Sequence, residues 1–324
     1  MENKPIRVDV SEIKTYKTCK RQWKLSSRNQ FHLRPYVTPP QFALGTLFHE
    51  SLHSLYLGVP LEKVMDTVKQ EMTENDTCLL AMIPGYAKEV LPGDLERFKV
   101  LDIEHKFEFN PCTRDGEIID EDLTICGSID MICLEKETNK IYGFEHKTAK
   151  NFRDESFLWM DEQPRVYTFA LQLYVDELNR KLYADYQKEL ASIKIEDLES
   201  GKCIMPEEPK YYELGGIYIN EVKKLLRKFS YQRTLCTYPG DDLDNFMEAF
   251  FGTCCACKHS VEINDFAAPS PGYFQCQLCD FKNICTTYMY STLDKDEVIN
   301  EFSEEFVVRE TDHLDDKAER NTNQ

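Results

Sequence analysis

Two neighbouring stretches of this sequence place three charged side chains where they can do chemistry together. Asp130 stands in "TICGSIDMICLE", and Glu145 and Lys147 stand in "KIYGFEHKTAK", with the polar "KETN" between them. Both stretches alternate as strands around a turn, and a period of two puts Ile141, Gly143, Glu145 and Lys147 on one face and Tyr142, Phe144 and His146 on the other. A tight turn brings Asp130 onto the Glu145 face. Two carboxylates on adjacent strands form a hard oxygen site for Mg²⁺ or Mn²⁺, which the backbone carbonyl of His146 could complete. Lys147 could hold a water there and stabilise developing negative charge. A second pattern is "HESLH": His49 and His53 fall one turn apart on one side of a helix, a spacing at which two imidazoles can bind zinc with Glu50 as general base. A third is "CQLCDFKNIC", which spaces Cys276, Cys279 and Cys285 as C-x2-C-x5-C, with Cys19 far upstream and Cys254, Cys255 and Cys257 in "CCAC". Thiolates are soft ligands that suit zinc or iron and sulfide.

The elements that must carry these residues follow from periodicity. Ser11 is a good N-cap for a helix running to about Arg28. Along it Lys14, Lys17, Arg21, Lys24 and Arg28 fall within an arc of about 80°, while Tyr16, Cys19 and Trp23 share another. From Ile13 to His49 there is no Asp or Glu, although the whole chain has a formal net charge of −18. The basic stripe is therefore the local candidate for an anion-binding surface in an otherwise acidic protein. The stretch carrying "HESLH" reads as a helix with Leu44, Leu47, Phe48, Leu52 and Leu55 on its apolar side, and a further helix is expected from about Leu61 to Met72. "KVLDIEHKFEFN" alternates as a strand, "DEQPRVYTFALQLYVDEL" is helical, "YYELGGIYIN" is a strand and "DDLDNFMEAFFGTCCAC" is a helix.

Composition narrows the class. With 324 residues, 42% of them hydrophobic, the chain can bury a substantial core. No apolar run is long enough to span a bilayer, and "MENKPIRVDVSE" has no signal-peptide apolar region, so the expectation is a soluble cytoplasmic protein, in a host cytoplasm if phage-encoded. Thirteen cysteines in a reducing compartment point to metal rather than disulfides. The last ~34 residues are acid-rich and expected to fray or stay partly disordered.

Gly127-Ser128-Ile129-Asp130 followed by Glu145-His146-Lys147 resembles the PD-(D/E)xK nuclease superfamily, most closely its RecB-like branch. In that branch a histidine on an upstream helix contributes to the metal site, and His49 in "GTLFHE" occupies that place. A glutamate sits on the first core strand, which Glu104 in "VLDIEHKF" resembles. A Q-x-x-x-Y motif follows the lysine on a helix, and "QPRVY" supplies Gln163 and Tyr167. Chain order agrees throughout, over roughly residues 8 to 290. Two positions depart: Ile129 stands where a proline often precedes the first carboxylate, and Lys20 where a proline often follows the N-terminal cysteine. Cys19 with the C-terminal trio resembles the iron-sulfur members, the AddB-type nuclease domain and the CRISPR-associated exonucleases, in which four thiolates bind a four-iron four-sulfur (4Fe-4S) cluster that ties the two ends of the domain together. Zinc is the alternative occupant, and Cys254, Cys255 or Cys257 is an alternative fourth ligand.

The resemblance implies an α/β restriction-endonuclease-like fold, with a mixed central sheet flanked by helices and an N-terminal helical region joined to the C-terminal cysteine segment by the cluster. Residues 1–290 would form one domain, with an N-terminal helical part (1–98), a catalytic core (99–220) and a C-terminal helix and cysteine segment (221–290), and 291–324 would be an acidic tail. It implies a metal-dependent DNA exonuclease acting on single-stranded ends in recombination, repair, or phage or CRISPR DNA processing. Asp130, Glu145, Lys147, Gln163 and Tyr167 would be catalytic, His49, Asp130, Glu145 and His146 would hold Mg²⁺ or Mn²⁺, Glu104 would support them, and Lys14, Lys17, Arg21, Lys24 and Arg28 would meet DNA. This chain has no helicase P-loop, so a helicase or a recombination or annealing partner would be separate. A zinc metalloprotease using "HESLH" would leave the C-terminal cysteines, the Asp130 to Lys147 hairpin and Gln163 without a purpose. A non-catalytic iron-sulfur DNA-binding protein would not need Asp130, Glu145 and Lys147 together.

Overall fold

Strands whose residues are apolar on both faces must be covered on both faces, and the stretches around Asp130 and Glu145 are of this kind. The computed structural model describes residues 5–36, 40–193, 205–289 and 291–309. In chain order the elements are β1 (Ile6–Asp9), α1 (Val10–Thr18), α2 (Lys20–Ser26), β2 (Leu33–Pro35), α3 (Pro40–Tyr56), α4 (Leu61–Glu71), α5 (Leu79–Glu89), α6 (Leu91–Arg97), β3 (Phe98–Phe109), β4 (Leu123–Glu135) and β5 (Lys140–Ala149). They continue with α7 (Glu155–Met160), α8 (Glu162–Ser192), β6 (Glu213–Lys223), β7 (Tyr231–Cys236), α9 (Gly240–Glu262), α10 (Tyr273–Gln277), α11 (Lys282–Thr287), α12 (Lys295–Glu301) and β8 (Phe306–Val308). Contacts divide the chain into two compact units, one of residues 1–43, 106–128 and 239–324, the other of residues 44–105 and 129–238.

The second unit holds the mixed sheet. β4 pairs antiparallel with β5 from Met131↔Phe144 to Leu134↔Ile141. β5 then pairs parallel with β6, and β6 antiparallel with β7. A parallel neighbour needs a crossover, and α7 and α8 supply it between β5 and β6. On one face Phe48 and Leu52 of α3 and Met82 and Ile83 of α5 form a buried cluster with Met131 and Phe144. On the other, Leu171 of α8 lies over Gly143, where a Cβ would stand an ordinary 3.6 Å from Leu171 Cδ2 but only 2.6 Å from Ile217 Cδ1 of β6, so glycine is needed for the Ile217 side chain. The sheet is thus flanked by helices on both sides.

In the first unit β1 pairs parallel with the opening residues of β4, Ile6↔Leu123 to Asp9↔Cys126. The helix predicted from Ser11 to Arg28 is two helices, α1 and α2, broken at Cys19, whose backbone is extended at φ −157° and ψ 107°. Its cap is Asp9 rather than Ser11, because the Asp9 carboxylate accepts the Glu12 N–H at 2.8 Å. The acid-rich segment expected to fray is ordered in part: α12 caps itself with Asp294, and β8 pairs antiparallel with β2. Phe302 and Phe306 are what hold it, since both join a buried cluster with Leu25, Phe31 and Leu33; residues 310–324 lie outside the described residues. No helix among the described residues is long and apolar enough to cross a membrane.

Candidate active site

The β4–β5 hairpin delivers the two carboxylates. One step beyond the paired Met131 and Phe144 stand Asp130 and Glu145, each 4% exposed. The backbone N–H of His146 donates to Asp130 Oδ2 at 2.8 Å, which fastens Asp130 to the strand that carries Glu145 and Lys147. His49 reaches the same oxygen from α3, its Nδ1 3.4 Å away. The Lys147 ammonium ion-pairs with Glu145 Oε1. From the first turn of α8, Gln163 Nε2 donates to that oxygen at 3.0 Å and to the hydroxyl of Tyr167, one turn on, at 2.9 Å. The structure therefore gathers His49, Asp130, Glu145, Lys147, Gln163 and Tyr167.

The start of α8 is itself held in place. Asp161 caps it by accepting the Gln163 N–H, and Arg153 bridges Asp161, at 3.4 Å, to Glu221 of β6, at 2.8 Å. Arg153 was not legible as a site residue; a lone Arg in a polar loop carries no local signal.

Burial sets the electrostatics. It pushes the Glu145 carboxyl above its usual range, the charge of Asp130 pushes it further, and Lys147 opposes both without cancelling them. Burial also pushes Asp130 upward, but there the charge and hydrogen bond of His49 outweigh it and hold the group well below the usual carboxylate range. Two buried carboxylates that differ in this way form a pair in which one is firmly ionised and the other is ready for a cation. Glu145 Oε2 is buried and, among the described residues, has no hydrogen-bond partner. Such an oxygen is costly unless something binds it. Two carboxylates, an imidazole and a nearby carbonyl are the donor set of Mg²⁺ or Mn²⁺, so the residues fit such an ion. Among the described residues no three His, Cys, Asp or Glu side chains are gathered closely enough to hold an ion as they stand; the Lys147 ammonium meets Glu145 at Oε1 and leaves Oε2 to an ion.

Glu104 is brought to His53 instead. His53 Nδ1 lies 3.2 Å from Glu104 Oε1, and Glu104 adopts a left-handed backbone, φ 51°, in the middle of β3. The two histidines of "HESLH" thus face different carboxylates, His49 facing Asp130 and His53 facing Glu104.

The basic stripe is a correction. Arg21 and Lys24 are 1% exposed. Arg21 Nε donates to the Ala267 carbonyl at 2.9 Å, and Lys24 Nζ to Asn264 Oδ1 and the Asp265 carbonyl at 2.8 and 2.7 Å. Arg28 ion-pairs with Asp9 at 2.6 Å. Lys14 and Lys17 are exposed while Arg21 and Lys24 are buried, so the five do not form one surface. Cys19, Cys276, Cys279 and Cys285 are half-buried free thiols. Burial pushes Cys279 and Cys285 up, and the charges of Cys19 and Cys276 act in the same direction; among the described residues no three of these thiols stand closely enough to hold an ion. The Cys19 sulfur also accepts the Ser270 N–H at 3.5 Å. Cys254 and Cys257 are fully buried in α9.

No curated protein sequence matches the chain. A solved structure, the crystal structure of SSO0001, is similar over 91% of this chain and 89% of that chain, with a TM-score of 0.38 and 12% identity. The family model of the PD-(D/E)XK nuclease superfamily matches residues 7–286. Most of the chain lies within that match, and its mixed sheet with flanking helices is the architecture expected of such a protein; the chain belongs to the PD-(D/E)XK nuclease superfamily.

Proposed function

We propose that this metal-dependent nuclease is a deoxyribonuclease that removes nucleotides from single-stranded DNA ends, with Asp130, Glu145 and Lys147 at its centre. The observation that carries the reading is the convergence of these three groups and His49 on one buried end of the β4–β5 hairpin. Asp130, Glu145, His49 and the His146 carbonyl would hold Mg²⁺ or Mn²⁺, which would polarise a phosphodiester as a Lewis acid and lower the pKa of an attacking water. Lys147 orients that water and balances charge on the phosphate as it develops. Gln163 fixes the rotamer of Glu145 through Oε1, and Tyr167 fixes Gln163. His49 Nδ1 meets Asp130 Oδ2, which keeps that carboxylate in place.

The same reading includes a 4Fe-4S cluster on Cys19, Cys276, Cys279 and Cys285. The soft donor set supports it, together with the charges of Cys19 and Cys276 felt at both Cys279 and Cys285; zinc is the competing occupant. Oligonucleotides labelled at either end, single- and double-stranded, incubated with Mn²⁺ or EDTA, test the substrate. Stepwise shortening of the single strand, abolished by EDTA, is expected. Internal cuts that ignore the ends, or intact DNA, would overturn the exonuclease reading.

A further inference from the structure

Asn220 faces inward from β6, paired with His146 of β5 in the parallel register, and neither residue is exposed. A fully buried amide must have its donors and its acceptor met. The partners of this one fix every proton around it. Arg233 carries donors only, and its Nε lies 2.7 Å from Asn220 Oδ1, so the atom on that side is the amide oxygen. The Tyr231 hydroxyl donates to the same oxygen at 3.3 Å. The amide nitrogen therefore faces the other way, toward the Tyr86 hydroxyl at 3.3 Å and His146 Nδ1 at 3.2 Å. An amide nitrogen cannot accept, so His146 Nδ1 must, and its ring proton sits on Nε2. A proton on Nδ1, in the other tautomer or in the cation, would set two donors face to face.

The arrangement is a closed circuit. Tyr56 donates to Asp94 Oδ2, so its oxygen accepts from the Tyr86 hydroxyl 2.8 Å away. Asp94 in turn takes both terminal guanidinium nitrogens of Arg233, at 2.6 and 2.7 Å. Hydrogen bonds thus run from Arg233 to Asn220, on to Tyr86, Tyr56 and Asp94, and back to Arg233. Reversing one bond breaks the others, which makes the direction of the Asn220 amide a property of the whole ring.

We propose that Asn220, locked by Arg233 and Asp94, is a positioning residue that holds His146 as its Nε2–H tautomer and so fixes the segment of β5 bearing Glu145 and Lys147. The positioning role rests on the reading of those two residues as catalytic; the tautomer does not. The Nδ1 lone pair is then taken, and Nε2, which is buried with no hydrogen-bond partner among the described residues, carries the ring hydrogen, so neither nitrogen is free to ligate a metal. What His146 offers the site is its backbone: the N–H that holds Asp130 and the carbonyl beside it.

Long-range ¹H–¹⁵N correlation spectra of protein labelled with ¹⁵N-histidine test this, with the His146 signals identified by their loss in His146→Gln. In the wild type Nε2 is expected protonated and Nδ1 bare. In Asn220→Asp a carboxylate oxygen replaces the amide nitrogen, so the proton should move onto Nδ1, and kcat for single-stranded oligonucleotide with Mn²⁺ should fall roughly tenfold or more with KM unchanged. A wild-type ring protonated on Nδ1 overturns the inference, and so does an Asn220→Asp ring that keeps the wild-type pattern or a switched ring with unchanged kcat. If Asn220→Asp does not fold, the wild-type spectrum alone decides the tautomer. A protein inert on DNA whose His146 carries the Nε2 proton would remove the nuclease reading and leave the tautomer standing.

Discussion

Replacing Lys147 with methionine removes the ammonium paired with Glu145 and leaves two carboxylates, each 4% exposed, with the His49 imidazole beside Asp130. Breaking a buried ion pair from one side costs about 3–5 kcal/mol. The Lys147 side chain keeps 35% of its exposure, so solvent screens the pair and a cost of about 2 kcal/mol is the better figure. For a protein of this size that corresponds to a melting temperature lower by roughly 3 °C. A divalent cation reverses the argument, because an ion held at Glu145 Oε2 would supply the positive charge that Lys147 brings to Oε1. Thermal melts of wild type and Lys147→Met in EDTA and in MnCl₂ measure both effects. The variant is expected to melt lower in EDTA, to gain more from Mn²⁺ than the wild type does, and yet to cleave at least ~100-fold more slowly. Equal melting temperatures in EDTA, or a gap that widens in Mn²⁺, would refute the reasoning.

Gln163→Leu removes the hydrogen bonds that fix Glu145 and Tyr167; cleavage should fall about 10- to 100-fold with circular dichroism unchanged, and undiminished cleavage would show that Glu145 needs no such support. In the first unit, burial and the charge of Asp9 raise Glu12 from 4.5 to about 7. The unfolded chain therefore releases this proton first as pH rises, so the stability the group contributes is complete below its unfolded value and lost through its folded one, up to about 3 kcal/mol. Glu12→Gln should flatten that decline in urea melts between about pH 5 and 8; a variant that declines as steeply as the wild type would assign the loss elsewhere. Cys276→Ser should lower the iron and sulfide content of anaerobically purified protein and bleach it, whereas Cys255→Ser should do neither; a colourless wild type carrying zinc would replace the cluster.

The hairpin of the candidate site was legible because its logic is local. A period of two aligns Glu145 with Lys147, the turn between the strands sets Asp130 against them, and one helical turn separates Gln163 from Tyr167. The failures have the opposite character. A helical wheel shows that Arg21 and Lys24 share a face, but whether that face meets water depends on carbonyls 246 and 241 residues away in the chain. Nor can a wheel drawn through Cys19 know that the helix breaks there. Asp94, Asn220 and Arg233 were missed for the same reason: they are polar residues whose partners stand up to 139 residues apart. The one local hint was Asn220, which interrupts the apolar run "GGIYIN" at a position the alternation turns inward. β1 and β2, of 4 and 3 residues, are too short for periodicity to register, and β8 lay in a segment whose acidity hid Phe302 and Phe306.

The central claim is that Asp130 and Glu145 make this chain a metal-dependent nuclease, and one measurement tests it most directly: hydrolysis of a 5′-labelled single-stranded oligonucleotide by wild type and Asp130→Ala, each with MnCl₂ and with EDTA, the variant first shown to be folded. Removing Asp130 takes away a buried carboxylate that meets both His49 and the His146 N–H. The expected result is Mn²⁺-dependent cleavage by the wild type and a loss of at least ~100-fold in the variant. Cleavage that survives in folded Asp130→Ala, or that proceeds in EDTA, would contradict the account.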